Sequence, residues 1–455
     1  MNTPIDSRWE PKSFYPFDEV LSASEATRAL PDFPLKETED MFRIEALGLL
    51  WDIGVFVTEP ADPAHAAIGP DGHKTGFLLL HGGSGDFKSM STLARLLAGK
   101  FGHRAVAMTF PGRLYLPDPK RDWPDDTIHA DGSVRTPIWV ADEFITRDQY
   151  DVIQDATMRT RYGMRTLARA KPGSRFFDRM AAWPVAFEEA MLEACRRHFP
   201  PADWAIFTHG HSTGGAFSAY ITQRVQNIAG QTEIETAPIG FINKAKHDWS
   251  GSLGKIGSYG RVATKPAPRA DPFNELYIRT WRDLARYRGP EALGQEGPAA
   301  LMRLPWIMED VLDSWARAKI RPNFKAEYVV THEVLPSLEA AARAAAGRLG
   351  MNAQATDALV QRYFDYCRYD MSEGAKPIPP ILYINSKDSR DNSPEAYNEA
   401  VLPAFAKLDP APTVRATQFG AGTHVYYKAD KDFPLGIAPA VARLFNDAIA
   451  NRYYY

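Results

Sequence analysis

At 455 residues the chain exceeds the ~100–200 residues usual for one domain, so a large elaborated domain, or a core with a second module, is expected. Its 45% hydrophobic and 24% charged residues exclude wholesale disorder, and a net charge of -3 without a dense basic run or zinc-type cysteine spacing argues against a nucleic-acid partner. The two cysteines, Cys195 and Cys367, far apart in helix-like segments, fit packing roles in a reducing compartment. With no basic-then-apolar leader and no apolar stretch of ~20 residues, a soluble, cytoplasmic protein off the membrane is expected.

Residues 1–40 are rich in Pro, Asp and Glu and read as an N-terminal arm. Strand-like material starts at FRIEALGLL and IGVFVTEP. KTGFLLLHGGSGD then reads as a strand ending in a glycine turn, followed by a helix in MSTLARLLAGKF. HRAVAMTFPG repeats the strand-then-turn signal. The stretch after it, GRLYLPDPKRDWPDDTIHADGSVRTP, is too rich in Pro, Asp and Gly for regular structure and opens a long surface excursion at about 111–180. A helical pattern in WPVAFEEAMLEACRRHF leads to DWAIFTHGHSTGGAFSAYITQRVQNI, read as strand, tight turn and helix, and APIGFINKA reads as the next strand.

From 246 to 376 the alternation of strand and helix is lost. Helical stretches rich in Trp and Arg, such as LYIRTWRDLARY and LPWIMEDVLDSWARAKI, mark an inserted, mainly helical cap. Strands resume in PPILYINSKDSRD and TVRATQFGAGTHV, and APAVARLFNDAIANRY closes the chain as a helix. The organisation expected is therefore an arm (1–40), a first core part (41–245), the insertion (246–376) and a second core part (377–455). Strands alternating with helices imply a mostly parallel α/β sheet covered on both faces, with functional groups on the loops at its carboxyl edge.

Gly210, Ser212 and Gly214 form G-x-S-x-G between a predicted strand and a predicted helix. The glycines allow a sharp turn that projects the serine, and the turn offers the backbone N–H of Thr213 to a developing oxyanion. A serine alone is a poor nucleophile and needs a histidine base oriented by an acid, in the chain order serine, acid, histidine. Asp388 follows ILYINSKD, with Asp391 in the same loop as a competitor farther from the strand end. His424 follows GAGTH as the only histidine beyond that loop. The glycine loop after FLLL, His81 to Gly85, can supply a second oxyanion N–H, assigned to Gly83.

These pieces resemble the α/β-hydrolase superfamily; the resemblance spans residues 42–450 as a strand order, with its specific content in LLLHGG, GHSTGG, INSKD and GAGTH. It implies an eight-stranded core sheet, a cap after the sixth strand, and a nucleophilic mechanism without metal or other cofactor. Because some relatives place the acid after the preceding strand, Asp248 is a third candidate. His81, His209 and His211 cluster around the two glycine loops without accompanying carboxylate or cysteine ligands, which suits hydrogen bonding around the site better than metal binding. In the insertion, Trp281, Trp306 and Trp315 are candidate substrate contacts, while Arg282 and Arg286 read as a solvated helix face.

The function expected is hydrolysis of a carboxylic ester or lactone of a bulky, hydrophobic or aromatic small molecule through Ser212, His424 and Asp388. Amide hydrolysis or acyl transfer would use the same groups, and a non-catalytic binding protein of the same fold is the alternative of a different class. Haloalkane and epoxide chemistry would call for a carboxylate in place of Ser212. A homo-oligomer is compatible with the sequence.

Overall fold

A computed structural model describes residues 12–46, 48–82, 86–111, 140, 143, 146–160, 163–170, 174–215, 225–235, 292–293, 343, 351–358, 379–387 and 412–454. In chain order these form β1 (Phe14–Tyr15), α1 (Phe17–Ala29), β2 (Leu35–Ala46), β3 (Leu49–Pro60), β4 (Lys74–Leu80), α2 (Ser91–Phe101) and β5 (Arg104–Met108). There follow β6 (Tyr150–Thr160), β7 (Gly163–Ala170), α3 (Arg175–His198), β8 (Trp204–His211), β9 (Ile228–Ile234), β10 (Ala292–Leu293), β11 (Ile381–Ser386), β12 (Val414–Phe419) and α4 (Ala438–Ala450).

Nine strands make one sheet in the order β1-β12-β11-β9-β8-β4-β5-β3-β2. β2, β3 and β5 pair antiparallel in sequence, and every pairing from β5 across to β1 is parallel. The sheet is thus mostly parallel, with one strand more than expected. β4 and β8 lie side by side at its centre, with Leu80 opposite Gly210. Both are buried along nearly their whole length, as continuous apolar runs in a doubly covered parallel sheet must be.

One face carries Phe77, Leu79, Phe207, Ile234, Leu382 and Ile384 against α1, α2 and α4. The Phe77 ring packs 5.5 Å from Phe207 and 5.8 Å from Phe445 of α4, and fully burying each such ring contributes about 1.5–3 kcal/mol. The opposite face is covered by α3, whose Phe187 meets Phe110 edge-on at 4.9 Å. Residues stop propagating α2 at Gly102, which takes φ +82 while its N–H bonds to Ala98 O; an added Cβ there would meet His65 O at 2.2 Å.

Two readings need correction. The segment taken as an arm carries β1, which extends the sheet through Gln418 N–H to Ser13 O at 2.9 Å, and α1, which packs on α4. Its buried face is Val20, Ala23, Ser24 and Thr27, too small and polar to show as apolar periodicity. The excursion at 111–180 contains the β6–β7 hairpin and the start of α3, although its Pro- and Asp-rich first part lies outside the described residues. The insertion at 246–376 is described only at 292–293, 343 and 351–358: Ala292–Leu293 form β10, which pairs antiparallel with β7, and residues 353–358 are helical. No described helix is long and apolar enough to cross a membrane.

The strand following the serine turn also shifts. APIGFINKA lies outside the described residues, whereas β9 falls earlier, on IAGQTEI. Its buried Gln231, Thr232 and Glu233 hide it from any search for an apolar run, and its Gly230 is required because the Tyr454 ring lies 2.1 Å from where a Cβ would stand.

Candidate active site

The site stands at the carboxyl edge of the central strands. β8 ends at His211, and Ser212 turns the chain with φ 54, a left-handed conformation that L side chains rarely adopt. Close approach explains the flanking glycines: a Cβ on Gly210 would stand 2.3 Å from the Gly215 Cα, and one on Gly214 would stand 2.6 Å from Leu80 O. Any larger residue would push the turn off the end of β4. Thr213 lies in the single helical turn Ser212–Gly214, at the position for an oxyanion donor.

The loop leaving β4 abuts the serine. A Cβ on Gly82 would lie 3.3 Å from the Ser212 Cβ and 3.1 Å from His211 Nδ1. Gly83, the expected second donor, lies outside the described residues. His81 is fully buried and stacks on Phe110 with centroids 3.8 Å apart. Its Nε2 accepts the Phe110 N–H at 3.3 Å, so its Nδ1–H is the donor to Gly82 O at 2.6 Å. The ring thus ties the glycine loop to the chain leaving β5.

His424, in the loop after β12, brings Nε2 to 3.0 Å from Ser212 Oγ. The other ring nitrogen, Nδ1, lies 3.8 Å from a carboxylate oxygen of Glu235. Glu235 follows directly on β9, is fully buried and, like Ser212, has a positive φ, of 55. Strained non-glycine backbone of this kind costs about 1–3 kcal/mol and tends to mark functional positions; Arg452 is the only other such residue among those described. The Glu235 carboxylate accepts the backbone N–H of Ser386, and its own N–H donates to Ile384 O at 3.0 Å, which fixes it between the ends of β9 and β11.

The structure therefore brings together Ser212, His424, Gly82 and Glu235, the last of which sequence reasoning passed over. Asp388, Asp391 and Asp248, the three acids weighed from sequence, lie outside the described residues, as do Trp281, Trp306 and Trp315. A signal for Glu235 did exist: T-E-I-E-T sets a carboxylate at a strand end between serine and histidine in the required chain order. It was lost because the strand was placed some nine residues too late.

Burial shifts the ionisable groups around this centre. Tyr427, next to the base loop, has its hydroxyl pushed up to about 12, by burial first and then by the charge of Asp86. Burial likewise raises the Asp86 carboxyl above its ordinary value. Among the described residues, no three His, Cys, Asp or Glu side chains converge as a metal site would need.

The sheet order, with its antiparallel β3, and the strained serine turn at the end of the central strand define the α/β-hydrolase fold. No family model matches the sequence, and no curated protein matches it significantly. Among solved structures, the chain is similar to a fungal esterase from Rhizomucor miehei at 13% identity and TM-score 0.36, covering 99% of this chain and 92% of that one. It is also similar to a cold-adapted esterase from an Arctic intertidal metagenomic library, at 12% identity and TM-score 0.33 over 91% and 96%. An epoxide hydrolase from Vigna radiata aligns at 11% identity and TM-score 0.34 over 90% and 96%.

Proposed function

We propose that the protein is a serine hydrolase acting on carboxylic esters or lactones, with Ser212 as nucleophile, His424 as base and Glu235 as the acid that orients the base. The observation that carries this reading is the 3.0 Å contact between Ser212 Oγ and His424 Nε2 at a serine held in a strained turn. In the first step Ser212 Oγ attacks the acyl carbon while its proton passes to His424 Nε2. The carbonyl oxygen becomes an oxyanion facing the backbone N–H groups of Thr213 and Gly83. His424 then returns the proton to the departing alkoxide, leaving an acyl-serine. Water repeats the sequence, giving its proton to His424 as its oxygen bonds to the acyl carbon, and the acid and free serine are released.

Ser212 also disfavours the epoxide and haloalkane reactions, which want a carboxylate at that position. A bulky, hydrophobic or aromatic acyl or leaving group is part of the proposal, supported by the aromatic content of the 246–376 insertion around Trp281, Trp306 and Trp315. So is a cytoplasmic setting, supported by the scarcity of cysteine and the burial of Cys195. The experiment is turnover by Ser212→Ala against matched chromogenic esters and anilides. Loss of all activity with an unchanged fold supports the reading, and faster turnover of anilides than esters would move the assignment to an amidase.

A further inference from the structure

Two histidines of β8 remain outside this chemistry. His209 and His211 stand at alternate positions of the strand, on the same face of the sheet, and both are buried. Each bonds to the segment that carries His424. His211 Nε2 lies 2.8 Å from His424 O; because a carbonyl can only accept, Nε2 carries the proton. His209 Nε2 lies 3.2 Å from Tyr426 Oη, and its Nδ1 lies 3.1 Å from Thr232 Oγ1. Thr232 spends its own hydroxyl proton on Thr208 O at 2.9 Å, so it accepts from His209 Nδ1–H, and His209 Nε2 accepts from Tyr426 O–H.

We infer that His209 and His211 are positioning residues that strap the base loop to the strand carrying the nucleophile, so that β8 alone sets the distance from Ser212 to His424. The inference rests on the hydrolase reading above. The connection closes on itself within a few atoms: His211 binds the backbone carbonyl of His424, and the next residue, Ser212, meets the ring of the same His424. A base on a loop at the far side of β11 and β12 would otherwise depend on several intervening strands for its placement. The rings of His211 and His424 lie 5.3 Å apart, so the strap is direct.

Two further observations support a positional role. Among the described residues, buried His211 Nδ1 has no hydrogen-bond partner, so the strap to His424 O is the bond this ring makes there. The His209 strap, whose Nε2 accepts from Tyr426, requires a neutral ring, whereas the His211 strap uses an Nε2–H present in either protonation state; the fold keeps both rings neutral. Burial, and then the charge of the neighbouring His424, hold His211 well below the ordinary histidine range, while burial takes His209 down to about 3.

The test measures kcat, KM, melting temperature and fluorophosphonate labelling rate for wild type and for His211→Phe, His211→Gln, Tyr426→Phe and Ser212→Ala. Phe keeps the ring volume of His211 and removes the donor; Gln restores an N–H that can reach His424 O. A displacement of the base by about 1 Å costs about 100-fold in rate, so His211→Phe is expected to lose about 10- to 100-fold in kcat and labelling rate with KM nearly unchanged. His211→Gln is expected to recover most of that loss. Tyr426→Phe, which removes only the second strap, is expected to lose about tenfold with its fold intact, and it keeps the inference testable if His211→Phe does not fold. Wild-type kcat in Tyr426→Phe and in any folded His211→Phe, or a loss that Gln does not restore, overturns the strap. Turnover surviving in Ser212→Ala would instead overturn the hydrolase reading itself.

Discussion

Replacing Glu235 by Gln isolates the acid of the proposed triad, because the amide oxygen can still accept the Ser386 N–H while the negative charge is gone. In the transition state His424 becomes an imidazolium. A carboxylate 3.8 Å from its Nδ1 stabilises that charge by about 4 kcal/mol at an effective dielectric near 20. At 1.36 kcal/mol per tenfold, this corresponds to about a 1,000-fold loss of kcat in Glu235→Gln. The amide would also present an N–H toward Nδ1 and so favour the wrong tautomer of the base. The assay is steady-state hydrolysis of the best chromogenic ester, with Asp388→Asn, Asp391→Asn and Asp248→Asn in parallel. A Glu235→Gln enzyme within about tenfold of wild type, beside a collapsed rate in one of the aspartate variants, would refute the reasoning and move the acid to that residue.

Glu233, two residues earlier on β9, is buried with neither carboxyl oxygen hydrogen-bonded among the described residues, and burial holds its pKa well above the ordinary value. The folded chain therefore keeps a proton that the unfolded chain releases, and stability falls as pH rises from the unfolded value toward the folded one. Glu233→Gln is expected to gain in melting temperature over wild type as pH is raised from ~5 to ~8; a difference independent of pH would contradict this. Phe207→Ala, at a fully buried ring 5.0 Å from Tyr454, is expected to cost about 3–5 kcal/mol in denaturant unfolding. The Cys195 thiol, pushed up to about 12 by burial, is expected to escape iodoacetamide in the native protein and react only in denaturant, as mass mapping would show. Truncating Trp281, Trp306 and Trp315 singly is expected to change ester selectivity at unchanged melting temperature wherever the residue touches substrate, whereas a packing residue lowers stability instead.

What the sequence made legible follows from where its physics is loud. FLLL, AVAM, WAIFT and ILYIN are apolar runs flanked by turn residues, and each is a central parallel strand. The serine turn was legible for the same reason, since glycines at 210 and 214 answer a backbone crowding that no other residue tolerates. Histidine 424 could be found by elimination. β9 was not legible, because a strand that buries Gln231, Thr232 and Glu233 carries neither an apolar run nor a clean alternation. The acid vanished with it. α1 was missed through composition: its acidic first turn, Asp18 and Glu19, suits a helix N-terminus but reads as arm when the buried side is built from Val20, Ala23, Ser24 and Thr27. The pairing of β10 with β7 joins segments more than a hundred residues apart, which local pattern does not encode.

The central claim is that Ser212 becomes covalently bonded during turnover. Treating the native wild-type protein with a fluorophosphonate and mapping the labelled peptide tests it directly. The account predicts a single phosphonyl adduct on Ser212, formed at a rate that falls with loss of the His424 imidazole and is absent in Ser212→Ala. An unlabelled protein, or an adduct on any other residue that persists in Ser212→Ala, would contradict it.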